Sequence, residues 1–530
     1  MHNNKKNCRF LTPLILALVC VNMEAQTSYP VPRLIVNVMI DQFRSDYMEA
    51  FSSLYGEDGF NRLLREGRTY MNAEYPFHDV DRASAVACVV TGTTPYDNGI
   101  VGEKWLDRKS LRPVYCVDDS KYNGWQTSEA YSPAKLNVST VTDELKMATD
   151  GRAIVYAIAP YADAAILSAG HAANGAFWLN DSTGRWCGTS YYGKYPDWAL
   201  RYEYILPLAE RLSDMVWKPV SSIVGNFNYF ISTNDRKTFK HRFEGDRKMV
   251  EFKSSAFVNA EVNNFTKHCL ENTEIGQDEV TDFLSLTYYA GNFDHKPVSE
   301  CPIELQDTYV RLDQQIAELI KELEKTVGRG NFLLVLTSTG YMDDEFTDLA
   351  KYRIPTGTFS INKASALLNM YLMAVYGQGK YVEAEFGTQL FLNQKLIEEK
   401  QLNMADVLTR SSAFLTQMAG VKDVYTSQRL ALGASTDEIG RRRNSYNVNR
   451  SGDIFIEVSP GWKYINEETH EQDFIQLSYV SFPLFFFGSN VRPETVKVPV
   501  SVDCIAPTLA AFMRIRAPNA CSIAPLSAIR

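Results

Sequence analysis

The sequence predicts an α/β fold: a mostly parallel central sheet with helices on both faces and an inserted subdomain. Three observations carry that expectation. Runs such as "RLIVNVMI" and "NFLLVLTST" are apolar without alternation, the pattern of strands covered on both sides. Segments of helical periodicity alternate with these runs. At 530 residues the chain can bury a large core as one body with insertions, although two or more domains also fit that length.

The elements follow in order. "RLIVNVMI" is a strand ending at Asp41, "GFNRLLREG" a short helix with a Gly stop, and "ASAVACVVTG" a buried helix. "RAIVYAIA" and "FLSLTYY" read as strands, and "IELQDTYVRLDQQIAELIKELEKTVG" as a long amphipathic helix ended by Gly328. "NFLLVLTST", "DIFIEVS" and "FPLFFFG" supply later strands and "APTLAAFM" a late helix. Residues from about 355 to 450 read as an insertion, because helical "SALLNMYLMAVYG" and "MADVLTRSSAFLTQMAG" flank the strand-like "FGTQLFLN". "GRRRNSYNVNRSGD" reads as a polar connector, and no internal repeat is visible.

Composition is that of a globular protein, 45% apolar and 22% charged, and the net charge of −9 gives no basic field for nucleic acid. Lys5, Lys6 and Arg9 precede the apolar "FLTPLILALVCV", and "MEA" before Gln26 has the small residue of a cleavage site. A signal peptide over residues 1–25 is therefore expected, with the remaining 26–530 as one domain, exported to the periplasm or beyond. The apolar run is too short to span a bilayer, and no transmembrane segment is expected after cleavage. Cleavage leaves 51 basic against 62 acidic residues and seven cysteines, an odd number that leaves at least one thiol unpaired or paired between chains. No C-x-x-C occurs, which argues against a zinc ribbon.

Several segments together carry a family resemblance: "VNVMIDQFRSDY", "GFNRLLREG", "VVTGTTPYDNGIVGEKW", "SAGHAANGAFWLNDSTGRW", "QDTYVRLDQQIAELIKELE", "FPLFFFG" and "CIAPTLAAFM". The chain resembles the alkaline phosphatase superfamily, in its type I phosphodiesterase/nucleotide pyrophosphatase branch, and most of all bacterial single-threonine alkaline phosphatases. The resemblance implies an alkaline phosphatase-like fold. It also implies two zinc ions held by three Asp and three His, with a Thr attacking phosphorus. Such a centre works by acidifying the nucleophile and stabilising both exchanging oxygens.

Position by position, the resemblance implies a site that this chain largely lacks. Asp41 matches the first metal-binding Asp. The nucleophile position, ten residues before Gly92, holds Arg82, with Ser84 a poor substitute two residues on. The next Asp and His fall at Asn292 and Lys296, with Asp294 and His295 a shifted alternative. Thr339 and Gly340 stand where an Asp–His pair belongs, and Ser481 where the last His belongs. The phosphate-gripping positions hold Glu103, Tyr161 and Asp163.

Asp41 reads either as a relic ligand or as a salt-bridge partner for Arg82, whose place at a helix N-terminus also calls for nearby acids such as Asp79 and Asp81. His295 reads as a surface histidine or a zinc ligand, and His171 as a residue that holds its turn by hydrogen bonds. Asp343, Asp344 and Glu345 form an acidic loop that could take a hard cation. The expectation from residues alone is a catalytically inactive relative, a pseudo-phosphatase with no cofactor, acting by binding or with an envelope protein partner. The alternative is an active phosphomonoesterase or phosphodiesterase with a rearranged site and two zinc ions, using Ser84 and His295.

Overall fold

A computed structural model of the chain describes residues 30–227, 229, 238–342, 353, 355–432, 436–474 and 481–526. The expected signal peptide and the acidic loop at 343–345 lie outside the described residues. Eleven strands build the central sheet. In chain order they are β1 (Leu34–Asp41), β2 (Arg68–Glu74), β3 (Gly124–Trp125), β4 (Val155–Ala159), β5 (Gly175–Leu179) and β6 (Trp186–Thr189). Then follow β7 (Asp282–Tyr289), β8 (Phe332–Ser338), β9 (Phe482–Gly488), β10 (Glu494–Val496) and β11 (Val500–Ser501). Their spatial order is β10-β2-β9-β8-β1-β7-β4-β5-β6-β3, with β11 also on β2.

The centre, β8-β1-β7-β4-β5, is parallel, as the unbroken apolar runs lead one to expect. Both faces of β1 are buried, and its side chains alternate between two cores. Leu34, Val36, Val38 and Ile40 join one cluster, whereas Ile35 and Met39 join the other. The first core is closed by α1 (Phe60–Glu66) together with two longer helices that follow later in the chain, Phe257–Asn272 and Pro302–Leu323. The second is closed by helices Arg82–Thr91, Val141–Ala148, Ala162–Ala169 and Ile505–Met513.

Two polar anchors fix the first layer. Asp313, buried in the long helix, accepts the N–H groups of Gly56 and Phe60 at 2.8 and 2.7 Å and so holds the start of α1. Only glycine fits at Gly59, where a Cβ would lie 2.1 Å from Asp313 Oδ1. The long helix runs on through a π turn, Glu324–Gly328, which leaves the helical path at Gly328 with φ 99°.

Two strands differ from the simplest reading of the sequence. "FPLFFFG" forms β9, antiparallel to β8, with Leu336 opposite Phe485. A continuous apolar run reports that both faces are covered and says nothing about strand direction. "DIFIEVS" supplies Ile454–Val458, which pairs with Val421–Thr426 and Gln389–Leu392 in a separate four-stranded sheet. That sheet carries helices Ile361–Tyr376 and Met404–Leu415 on its own hydrophobic core.

"GRRRNSYNVNRSGD" is more ordered than a connector. Its first residues complete a helix, Asp437–Asn444, and its arginines join this subdomain to the main body. Arg441 pairs with Glu74 at 2.7 Å, Arg442 with Asp79, and Arg450 lies 4.6 Å from the Trp105 ring centroid. The seven cysteines among the described residues are free thiols, six of them buried. Among the described residues no helix is long and apolar enough to cross a membrane.

Candidate active site

The parallel strands bring their carboxyl ends to one edge, where α/β sheets open their crevices. Asp41 closes β1, Thr339 follows β8, and Tyr161 and Asp163 start helix Ala162–Ala169 just past β4. Arg82 is the first residue of helix Arg82–Thr91, whose N-cap is Asp81. The cap is reciprocal: Ser84 N–H donates to Asp81 Oδ1 at 2.9 Å, and Asp81 N–H donates to Ser84 Oγ at 3.0 Å. Asp81 also accepts the backbone N–H of Glu103, which ties that loop to the helix start.

Arg82 is 7% exposed and sits among three carboxylates. Its Nε donates to Asp163 Oδ1 and Oδ2 at 3.2 and 3.0 Å, while its terminal nitrogens reach Asp41 Oδ2 and Glu103 Oε2, each at 3.5 Å. Its guanidinium carbon lies 3.8 Å from the Tyr161 ring centroid. Burial opposes the charge, but Asp163, Tyr341, Asp41 and Glu103 outweigh it and hold the guanidinium well above its ordinary pKa. Asp41 accepts the Thr339 hydroxyl at 2.8 Å on one oxygen and the Tyr341 hydroxyl at 3.2 Å on the other. Burial nevertheless lifts its carboxyl above the usual range, against the pull of Arg82. Glu103 is partly exposed, and burial beside Asp163 pushes its carboxyl up to about 7.

A crevice of about 500 Å³ opens beside this cluster, lined by Arg82, Glu103, Lys104, Tyr131, Lys253 and Tyr341 among others. Lys253 is 2% exposed and donates to Leu179 O and Asp181 Oδ1, each at 2.6 Å. Its Nζ lies 4.8 Å from the same Tyr161 ring, so two cations share one aromatic partner.

The structure therefore gathers Asp41, Arg82, Glu103, Tyr161, Asp163 and Thr339. It separates the others. Asn292 lines a small cavity behind Gln42, and its carbonyl accepts the Tyr289 hydroxyl at 2.7 Å. Lys296 turns to Asp294 at 3.2 Å, and Arg247 pairs with the same carboxylate. Gly340 packs its backbone against Tyr75, and the Ser481 carbonyl accepts Ser45 N–H at 3.1 Å. His295 is exposed at the crevice wall. Ser84 is fully buried in the helix cap, so its hydroxyl faces Asp81 and is not presented to the crevice.

The acids that offset Arg82 are Asp163, Asp41 and Glu103 instead of Asp79, which pairs with Arg442, or Asp81, which caps the helix. Sequence reading missed Lys253 and Tyr341. Tyr341 had a signal, lying two residues past Thr339 on the same strand exit, whereas nothing near Lys253 in the chain marks it.

His171 holds its turn from both ring nitrogens: Nδ1 meets Asp143 Oδ2 at 2.8 Å and Nε2 meets Leu136 O at 3.1 Å. Burial would lower its pKa, but Asp143 outweighs burial and raises it. The pair's contribution to stability is thus complete below the free-imidazole value of about 6.5 and is lost as pH rises through the folded pKa. Melting temperatures measured from pH 6 to 9 should fall more for the wild type than for His171→Gln, and parallel curves would refute this.

The donors among the described residues do not fit a two-zinc centre. Among the described residues no three His, Cys, Asp or Glu side chains are placed to share an ion. Both Asp41 oxygens already accept hydroxyl donors, and a guanidinium stands beside them.

Comparison with known proteins places this crevice in context. The family model described as type I phosphodiesterase / nucleotide pyrophosphatase matches residues 35–479. The chain is 30% identical to alkaline phosphatase PhoV of Synechococcus elongatus, over 92% of this chain and 91% of that protein. It is 29% identical to a protein of Myroides odoratus named calcium-transporting ATPase, over 96% and 97% of the two chains. Alkaline phosphatase PafA of Elizabethkingia meningoseptica is 26% identical over 98% of each. The crystal structure of wild-type PafA superposes with a TM-score of 0.82, covering 95% of this chain and 99% of that one. Full-length kinship with proteins named alkaline phosphatases overturns the expectation of a non-enzyme. That expectation tested one constellation of ligands, and the loss of one constellation is not the loss of activity.

Proposed function

The chain belongs to the type I phosphodiesterase/nucleotide pyrophosphatase family, and from that premise we propose that it is a phosphoric ester hydrolase working in the crevice at Arg82. The observation that carries this reading is the full-length similarity to alkaline phosphatases PhoV and PafA. The crevice supports it with groups of its own. Arg82 and Lys253, each paired with carboxylates and packed on the Tyr161 ring, fix two cations at the crevice wall before a substrate arrives.

Glu103, with its carboxyl near 7, is suited to move a proton at neutral pH. In the step proposed, it takes a proton from water as the water oxygen bonds to phosphorus. The ester P–O bond breaks, and the proton passes to the departing alkoxide. Neither Ser84 nor a zinc ion takes part. Hydrolysis of p-nitrophenyl phosphate and its bis ester by the full chain tests the reading. Turnover that Glu103→Gln lowers by about 10²–10⁴-fold is expected, and no release above the buffer rate from either ester would refute it.

We also propose export, on the basis of Lys5, Lys6, Arg9 and the apolar run ahead of Ala25. Intact-mass measurement on protein from the cell envelope should give a chain beginning at Gln26, and a full-length chain in the cytosol would contradict it.

A further inference from the structure

We propose that Arg82 is the resident cation of the crevice, and that while it is in place no divalent metal ion binds there. Three features, none of which depends on the hydrolytic reading, lead to this. Arg82 is tethered to Asp163 by two bonds from one nitrogen and covered by the Tyr161 ring at 3.8 Å, so it cannot swing aside without losing both partners. The acids that face the crevice edge are already paired with it, since Asp41 Oδ2 and Glu103 Oε2 each lie 3.5 Å from a guanidinium nitrogen. The remaining donors to Asp41 are the neutral hydroxyls of Thr339 and Tyr341, which present hydrogen where an ion would need lone pairs.

A divalent ion entering here would meet a fixed positive charge at contact distance in a buried setting, where screening is weak. The second cation, Lys253, adds to the barrier, held by Asp181 at 2.6 Å with its Nζ 4.8 Å from the same Tyr161 ring. Arginine suits this task because it stays charged when buried and forks between several carboxylates. With Arg82 removed, Asp41, Asp163 and Glu103 would have to draw together to share an ion, and as an all-oxygen set they would take a hard cation such as manganese in preference to zinc.

Elemental analysis of the purified full-length chain, and melting curves with and without zinc or manganese, test this without any substrate. The wild type should carry far less than one zinc per chain, and its melting temperature should not respond to either metal or to chelator. Arg82→Ala should gain a melting-temperature rise with millimolar manganese, and Arg82→Lys, which keeps a cation, should not. Stoichiometric zinc in the wild type that is lost in Asp41→Asn would overturn the proposal, as would a folded Arg82→Ala protein indifferent to manganese. If Arg82→Ala fails to fold, the wild-type zinc content and its loss or retention in Asp41→Asn still decide.

Discussion

Glu103→Gln is expected to lower kcat for phosphoric ester hydrolysis by about 10²–10⁴-fold, the usual contribution of a positioned proton-transfer group. The substitution keeps the shape and leaves the backbone N–H of residue 103 on Asp81, so the loop should stay in place. The pH profile separates a chemical role from a structural one. Glu103 must be ionised to accept a proton, so wild-type kcat/KM should rise with pH through about 7 and then level. The variant should show no such limb. If Glu103→Gln kept both the rate and the limb, the proton would have to move through another group.

Arg82→Met is expected to cost about 3–5 kcal/mol in unfolding free energy, the penalty for leaving buried charge without its partner. Asp163 and Asp41 are 0% and 2% exposed, so water cannot replace the guanidinium. The loss should depend on pH in a definite direction. Burial already holds the Asp41 carboxyl above its unfolded value, and removing Arg82 takes away the charge that opposes that rise. A raised folded pKa means the native state binds more protons than the unfolded state, so the variant should regain stability as pH falls toward that pKa. Urea unfolding at pH 5 and pH 8 measures this. An equal loss at both pH values would mean that packing, and not charge, is what Arg82 supplies.

Much of the fold was legible because the parallel centre is written in unbroken apolar runs, each long enough for one buried strand. Strand direction was not, since β9 reads the same whether it runs with β8 or against it. The subdomain clamp was hidden for a related reason. Three consecutive arginines look like a solvated linker until the acids they meet, Glu74 and Asp79, are brought near from more than 350 residues away.

At the site, spacing from a recognisable motif located Arg82, Glu103, Tyr161 and Asp163, and folding brought them to one guanidinium. The same counting could not foresee that Asn292 and Lys296 would turn away toward Tyr289 and Asp294, because their loop takes left-handed φ at Asp294 and His295. Nor could it find Lys253, which has no periodic or motif neighbour and reaches the crevice only through tertiary packing. The inference of inactivity failed at a different link. Residue substitutions report which groups of one constellation are missing, and what overturned the inference is full-length similarity to alkaline phosphatases, which no single position carries.

The central claim is that this crevice hydrolyses phosphoric esters with cations of the chain itself. The direct measurement is p-nitrophenyl phosphate turnover by the full chain after exhaustive chelation, with zinc content determined on the same sample. Turnover should persist with far less than one zinc per chain. Activity that disappears with the metal and returns when about two zinc ions per chain are restored would contradict it.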